Sequence, residues 1–312
     1  MKNIVFFGGK GGVGKTSSSA SYSLFCAQRG YKTLIVSTDP AHSLGDIFEV
    51  EIGNKIRELD NNLFGLEIDP EKASDDYIKR TKAEMRKTLS PIIIEEIERQ
   101  IDAMVVSPGS EEAAIFDELV KIIINYTSDY DVIIFDTAPT GHTIRLLSLP
   151  ELMGAWMDSL ISSRREAVEL MKMSTVGNKE LHDKYTNDPV LNILMRRKEE
   201  YEKAREILID SRKACFVFVL NPEKLPIIET QKAISILAKY GIQIGGVIIN
   251  KVLPDDISDE FLLKRKQTER FYMEEIYRKF KDMILMEIPL FPDDIQGKLY
   301  LEKVSLLYTD VI

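Results

Sequence analysis

Near its amino terminus the chain reads Phe7-Gly8-Gly9-Lys10-Gly11-Gly12-Val13-Gly14-Lys15-Thr16. Gly9 and Gly14 bracket four residues and are followed directly by Lys15 and Thr16. At that spacing backbone N–H groups can close around phosphate oxygens, because glycines adopt the turns that a side chain would block. The amino terminus of the helix that follows, expected over 17–28, adds partial positive charge. Gly9, Gly11, Gly12, Val13, Gly14, Lys15, Thr16 and Ser17 are therefore the candidate ATP-binding residues of this loop. Lys15 would reach the β- and γ-phosphates, and the Thr16 hydroxyl would ligate Mg²⁺. Such a loop needs one lysine, and this one has a second, Lys10.

Phosphoryl transfer also needs carboxylates. In "VIIFDTAPTGHT" Asp136 follows an apolar run and precedes a Pro/Gly turn, where it could hold the metal shell through water. In "LIVSTDPAHSLGD" Asp39 lies just past another apolar run, where a carboxylate can orient the water that attacks the γ-phosphate. Asp39 and Lys15 are the candidate catalytic residues that these motifs supply. Three strand ends would bring these groups to one edge of a sheet, where ligands bind in open α/β folds.

The elements that must position them are legible as short apolar runs. Strands are expected over 3–8, 33–38, 63–68, 131–136, 215–220, 244–250 and 283–288. Most are continuous rather than alternating, as for strands buried on both faces of a parallel sheet. With helices between them, the fold class is α/β, a doubly wound mainly parallel sheet. Residues 70–128 and 141–210 interrupt the alternation as long, charged, methionine-containing helical stretches. No Gly/Ser/Pro-rich linker divides the chain, so residues 1–312 are expected to form one domain with a helical lid or subdomain.

Charged residues make up 29% of the chain and the net charge is −9, a balance that disfavours general nucleic-acid binding. The short basic run Lys264-Arg265-Lys266 reads as a solvated helix face. No apolar run approaches the roughly 20 residues needed to cross a bilayer, and no signal peptide precedes the glycine loop. The expectation is a cytoplasmic protein without direct membrane insertion. Cys26 and Cys215 are too few for a disulfide scaffold and read as small core residues. The carboxyl-terminal stretch from 297 is amphipathic and is expected to pack on the sheet.

"KGGVGKT", "STDPAHSLGD", "NLFGLEIDP" and "DTAPTGHTIRLLSLP" together resemble the arsenical pump-driving ATPase family, which includes the ATPases that target tail-anchored membrane proteins. The resemblance covers nearly the whole chain. It implies a homodimer in which Lys10 reaches the partner's nucleotide, a cation delivered only when the dimer closes. It implies that His42, Ser43 and Asp46 belong to one switch segment with Asp39, and Gly141 and His142 to a second with Asp136. It implies that Asn250 and Pro289 hold adenine. Many targeting members carry a Cys-x-x-Cys zinc clip, but residues 255–272 contain no cysteine, so no zinc is expected.

Met153, Met157, Leu160, Ile161, Val168 and Met171 fall close to one helical face. Methionine adapts to varied apolar shapes, which suits a groove for hydrophobic clients, and a stripe that merely packs on its neighbours fits the same pattern. Three effector roles stay open: shielding a hydrophobic client such as a tail-anchored membrane protein, driving an arsenite or other anion efflux pump, and partition-type positioning. The pump role lacks thiolates for a soft ion. Partitioning lacks a basic surface or tail.

Overall fold

A computed structural model describes residues 2–39, 43–86, 110–137, 157–170, 173 and 188–309. The chain divides into two compact units. The first comprises residues 1–69, 125–147 and 207–312, and the second residues 70–124 and 148–206.

The first unit is built on an eight-stranded sheet. In chain order the strands are β1 (Ile4–Gly8), β2 (Thr33–Ser37), β3 (Arg57–Asp60), β4 (Leu63–Glu67), β5 (Val132–Asp136), β6 (Ala214–Leu220), β7 (Ile244–Val252) and β8 (Ile284–Pro289). They lie side by side as β3-β4-β2-β5-β1-β6-β7-β8. Every neighbouring pair is parallel except β3–β4. Strands β1, β2, β5 and β6 are buried along their whole length, which is why they read as unbroken apolar runs. The α/β doubly wound expectation holds.

Strand β3 escaped the sequence reading. Its residues, Arg-Glu-Leu-Asp, are exposed or half-buried, because an edge strand needs no continuous apolar face. It pairs antiparallel with β4, to which it connects through a two-residue turn in which Asn62 takes φ 60°.

Helix α1 (Lys15–Gln28) starts two residues earlier than expected, directly at Lys15. It carries serines at 17, 18, 19, 21 and 23 and yet is largely buried. Several hydroxyls bond back to the helix: Ser19 to Thr16 O at 3.0 Å, Ser21 to Ser17 O at 2.7 Å and Ser23 to Ala20 O at 2.7 Å. These three hydroxyls are thereby satisfied inside the core, while the buried hydroxyls of Ser18 and Tyr22 find no acceptor among the described residues.

Helix α2 (Ser43–Phe48) is short. Helix α7 (Lys224–Lys239) follows β6, and α8 (Glu260–Phe280) follows β7. Helix α9 (Gly297–Ser305) corrects one expectation, since it packs on α1 rather than directly on the sheet. Leu301 and Val304 are fully buried there, Tyr308 packs on Tyr22, and the Tyr308 hydroxyl donates to Ser18 O at 2.9 Å. The basic run is a second correction. Lys264 and Arg265 are exposed, but Lys266 is turned inward, with its ammonium 3.1 Å from Glu269.

The second unit is helical where described. It contains α3 (Pro70–Arg86), most of α4 (Ser110–Tyr126), α5 (residues 157–170) and most of α6 (Pro189–Ile209). Asp117, almost fully buried, collects Arg80, Lys121 and Arg197 at 3.3, 2.5 and 3.1 Å, which joins α3, α4 and α6. Arg164 pairs with Asp188 at 2.7 Å and Asp158 with Lys198 at 2.5 Å, so α5 and α6 run antiparallel. Met157, Ile161 and Val168 are buried and Leu160 is half-buried. Leu170 and Met173 are 69% and 70% exposed. Met153 and Met171 lie outside the described residues.

Candidate active site

Three adjacent strands set the site. In β2, β5 and β1 the register aligns Ser37 with Asp136 and Asp136 with Phe7, so all three strands end at one level. The glycine loop leaves β1 there, Asp39 lies two residues past β2, and Asp136 closes β5. The Thr137 hydroxyl donates to Phe7 O at 2.7 Å and Thr38 N–H donates to Asp136 O at 2.9 Å, which ties the strand ends together. The Ser37 hydroxyl accepts from Asp39 N–H at 3.2 Å.

The loop itself is held from outside. Gly14 takes φ 91° and ψ 36° at the amino-terminal cap of α1, where glycine offers no side chain to cap the helix. Asn250, in β7, is 1% exposed and donates from Nδ2 to Val13 O at 2.8 Å. A Cβ on Gly14 would lie 2.1 Å from that nitrogen, so only glycine fits this contact. Gly9 is equally confined: a Cβ there would lie 2.2 Å from Val219 O in β6.

Lys15 is buried, and its ammonium donates to Lys10 O at 3.4 Å. Burial lowers its pKa, while Asp136 and then Asp39 pull it back up. Asp136 is fully buried, and desolvation pushes its carboxyl up to about 7. The Thr16 and Ser19 hydroxyls and the Lys15 ammonium act in the opposite sense. Neither carboxylate oxygen reaches a full hydrogen bond within the protein. Orphaned buried acceptors of this kind call for donors and positive charge. The donor set of Asp136 and the Thr16 hydroxyl accordingly fits a hydrated Mg²⁺.

A cavity of about 560 Å³ lies over the loop. Of the sequence candidates, Gly11, Gly12, Gly14, Lys15, Thr16, Ser17, Asp39, Asn250 and Pro289 line it together. Gly9, Lys10, Val13 and the fully buried Asp136 are not part of the lining. The lining also holds residues the sequence reading missed: Ile47, Lys251 and the segment from Leu290 to Ile295. The Lys10 side chain is one-third exposed, 3.9 Å from the half-exposed Glu229. Ser43 opens α2 and Asp46 is exposed on it, with its carbonyl accepting from Gln296 Nε2 at 3.1 Å. His42, Gly141 and His142 lie outside the described residues.

A glycine loop between a parallel strand and a buried helix, with a lysine and two aspartates at neighbouring strand ends, defines the P-loop class of nucleoside triphosphatases. Within that class, residues 2–309 match the family model described as anion-transporting ATPase. The chain is 38% identical over 302 residues to the putative arsenical pump-driving ATPase 2 of Aquifex aeolicus, which covers 97% of each protein. It is 33% identical to ATPase GET3A of Arabidopsis thaliana, over 94% of this chain and 80% of that one. It is also 33% identical to ATPase ASNA1 homolog 2 of Paramecium tetraurelia, over 94% and 89%. The chain belongs to the anion-transporting ATPase family and is an ATP-hydrolysing enzyme.

Proposed function

We propose that this ATPase works as a homodimeric switch that couples the state of its nucleotide to the holding of a hydrophobic client, a membrane protein with one apolar terminal segment. In hydrolysis Lys15 binds the β- and γ-phosphates, and the Asp39 carboxylate orients water and takes its proton as the oxygen attacks the γ-phosphorus. ADP departs with the electrons of the broken P–O bond. Mg²⁺, held by the Thr16 hydroxyl and through water by Asp136, would offset charge on the phosphates. Lys10 would serve the partner's nucleotide. The weak, solvent-screened pair with Glu229 is consistent with a side chain that leaves its own protomer at little cost.

The observation that carries the client reading over the pump reading is the state of the thiols. The chain has two cysteines, both buried, and desolvation holds both thiols up at about 12. Neither offers a thiolate to a soft ion such as arsenite. Leu170 and Met173, by contrast, present apolar surface on the helical unit. Partition-type positioning is disfavoured because α9 buries its apolar face against α1 and leaves no basic amphipathic tail over those residues.

The test is co-expression with a protein ending in one apolar segment of about 20 residues. The client should remain soluble in complex with this chain, and Leu170→Asp with Met173→Asp should release it. These exposed positions can take a charge, whereas Met157, at 4% exposure, would damage the fold. No complex, in an assay where an established targeting ATPase succeeds, would overturn the client reading and leave the ATPase in place.

A further inference from the structure

Two consecutive peptides of the glycine loop are gripped by two consecutive residues of β7. Asn250 Nδ2 donates to Val13 O at 2.8 Å, and Lys251 Nζ donates to Gly12 O at 2.9 Å. In a trans peptide the carbonyl and the following N–H point in opposite directions. Fixing Gly12 O and Val13 O therefore turns the N–H groups of Val13 and Gly14 away from β7. The Val13 N–H accordingly donates within the loop, to Lys10 O at 3.4 Å. Lys251 also organises its neighbour, because its own N–H donates to Asn250 Oδ1 at 2.9 Å and so fixes which end of that amide faces the loop.

The backbone is bent to achieve this. Lys251 takes φ 59°, one of three non-glycine residues at positive φ among the described residues. A left-handed lysine next to the end of a strand costs free energy that the local contacts must offset. Two residues further on, the chain is clamped again. Glu269, 6% exposed, accepts from Leu253 N–H at 2.8 Å, and the Lys266 ammonium donates to Leu253 O. The segment 250–253 is thus a strap, anchored on α8 at one end and on the glycine loop at the other.

We propose that Lys251 is a positioning residue for nucleotide binding, acting on the phosphates through the Gly12–Val13 peptide rather than by touching them. The inference rests on the P-loop ATPase assignment. It makes one lysine side chain responsible for the direction of amides that must face a polyphosphate.

The experiment uses the full-length protein and a fluorescent ATP or ADP analogue, with hydrolysis measured in parallel. Lys251→Met should weaken binding of both nucleotides by about tenfold, the size of one charge-assisted hydrogen bond. The effect should fall on KM, with kcat nearly unchanged, and Lys251→Arg should restore most of the affinity. Lys251→Gly separates side chain from backbone, since it relieves the positive φ while removing the ammonium, and it should bind as weakly as Lys251→Met. Wild-type affinity in Lys251→Met, or in Lys251→Gly alone, would overturn the proposal. A loss confined to ATP with ADP unaffected would also overturn it, because it would mean direct contact with the γ-phosphate. Lys15→Ala serves as the reference: if it binds nucleotide as the wild type does, the phosphate-site assignment itself fails, whatever Lys251 does.

Discussion

Placing a methyl group on Gly14 should damage this protein in two separable ways. The first is conformational. At φ 91° and ψ 36° a side chain is strained, by about 1–2 kcal/mol. The second is steric. The new Cβ would lie 2.1 Å from Asn250 Nδ2, and the amide has no room to yield because Asn250 is 1% exposed. Displacing it breaks the 2.8 Å bond to Val13 O and leaves buried polar groups without partners, at a cost of about 1–3 kcal/mol. Gly14→Ala should therefore lose about 2–5 kcal/mol in all. Asn250→Ala alone should lose about 1–3 kcal/mol, chiefly through the orphaned carbonyl. In the double variant the clash has no object, so the combined loss should fall short of the sum by at least about 1 kcal/mol. Urea unfolding followed by circular dichroism at fixed pH gives the four corners of this cycle. Additive losses would mean that the added methyl and Asn250 do not meet, and the tight apposition of β7 and the glycine loop would be refuted. Equal stability of Gly14→Ala and wild type would refute the backbone argument as well.

Asp136 leads to a pH prediction. Because burial raises its carboxyl to about 7, the folded chain keeps a proton that the unfolded chain has released above the ordinary carboxylate range. Without nucleotide and metal, stability should therefore decline as pH rises from about 4 to about 7, and Asp136→Asn should lack that part of the decline. Parallel stability profiles for the two proteins would show the carboxyl to be ionised throughout. Lys10→Ala should make specific ATPase activity independent of protein concentration, as measured from nanomolar to micromolar enzyme. A concentration dependence identical to the wild type would return Lys10 to the role of a surface loop lysine.

Much of the site was legible in advance because its residues are contiguous with the strands that carry them. The glycine loop, Asp39 and Asp136 each follow an apolar run, and a run buried on both faces announces a parallel strand. Lys251 was invisible for the opposite reason. Its partner is a carbonyl 239 positions away, and nothing local distinguishes it from any lysine at a strand end. Lys266 failed similarly, since the apparent solvated run gave no sign of Glu269 and the Leu253 carbonyl waiting inside. Strand β3 lacked the apolar signal because, among the described residues, no further strand pairs with its outer side. Met157 and Ile161 lay on the face that the periodicity picked out, but the fold buries them, and among the described residues of 157–173 it is Leu170 and Met173 that present large apolar side chains to solvent. Periodicity identifies a face without saying whether another helix already occupies it.

The charged strand at the sheet's margin also governs self-association. An open sheet of parallel strands offers unpaired backbone groups along its outermost strand, a ready template for another chain. Here that position is taken by four residues, three of them charged, running against the direction of the rest. A copy adding a strand beside β3 would have to desolvate Arg57, Glu58 and Asp60, and it would have little apolar surface to gain. The opposite margin, β8, carries Glu287 and ends on Pro289, which has no N–H to donate. With both margins blunted in this way, growth of the sheet strand by strand from copy to copy is disfavoured.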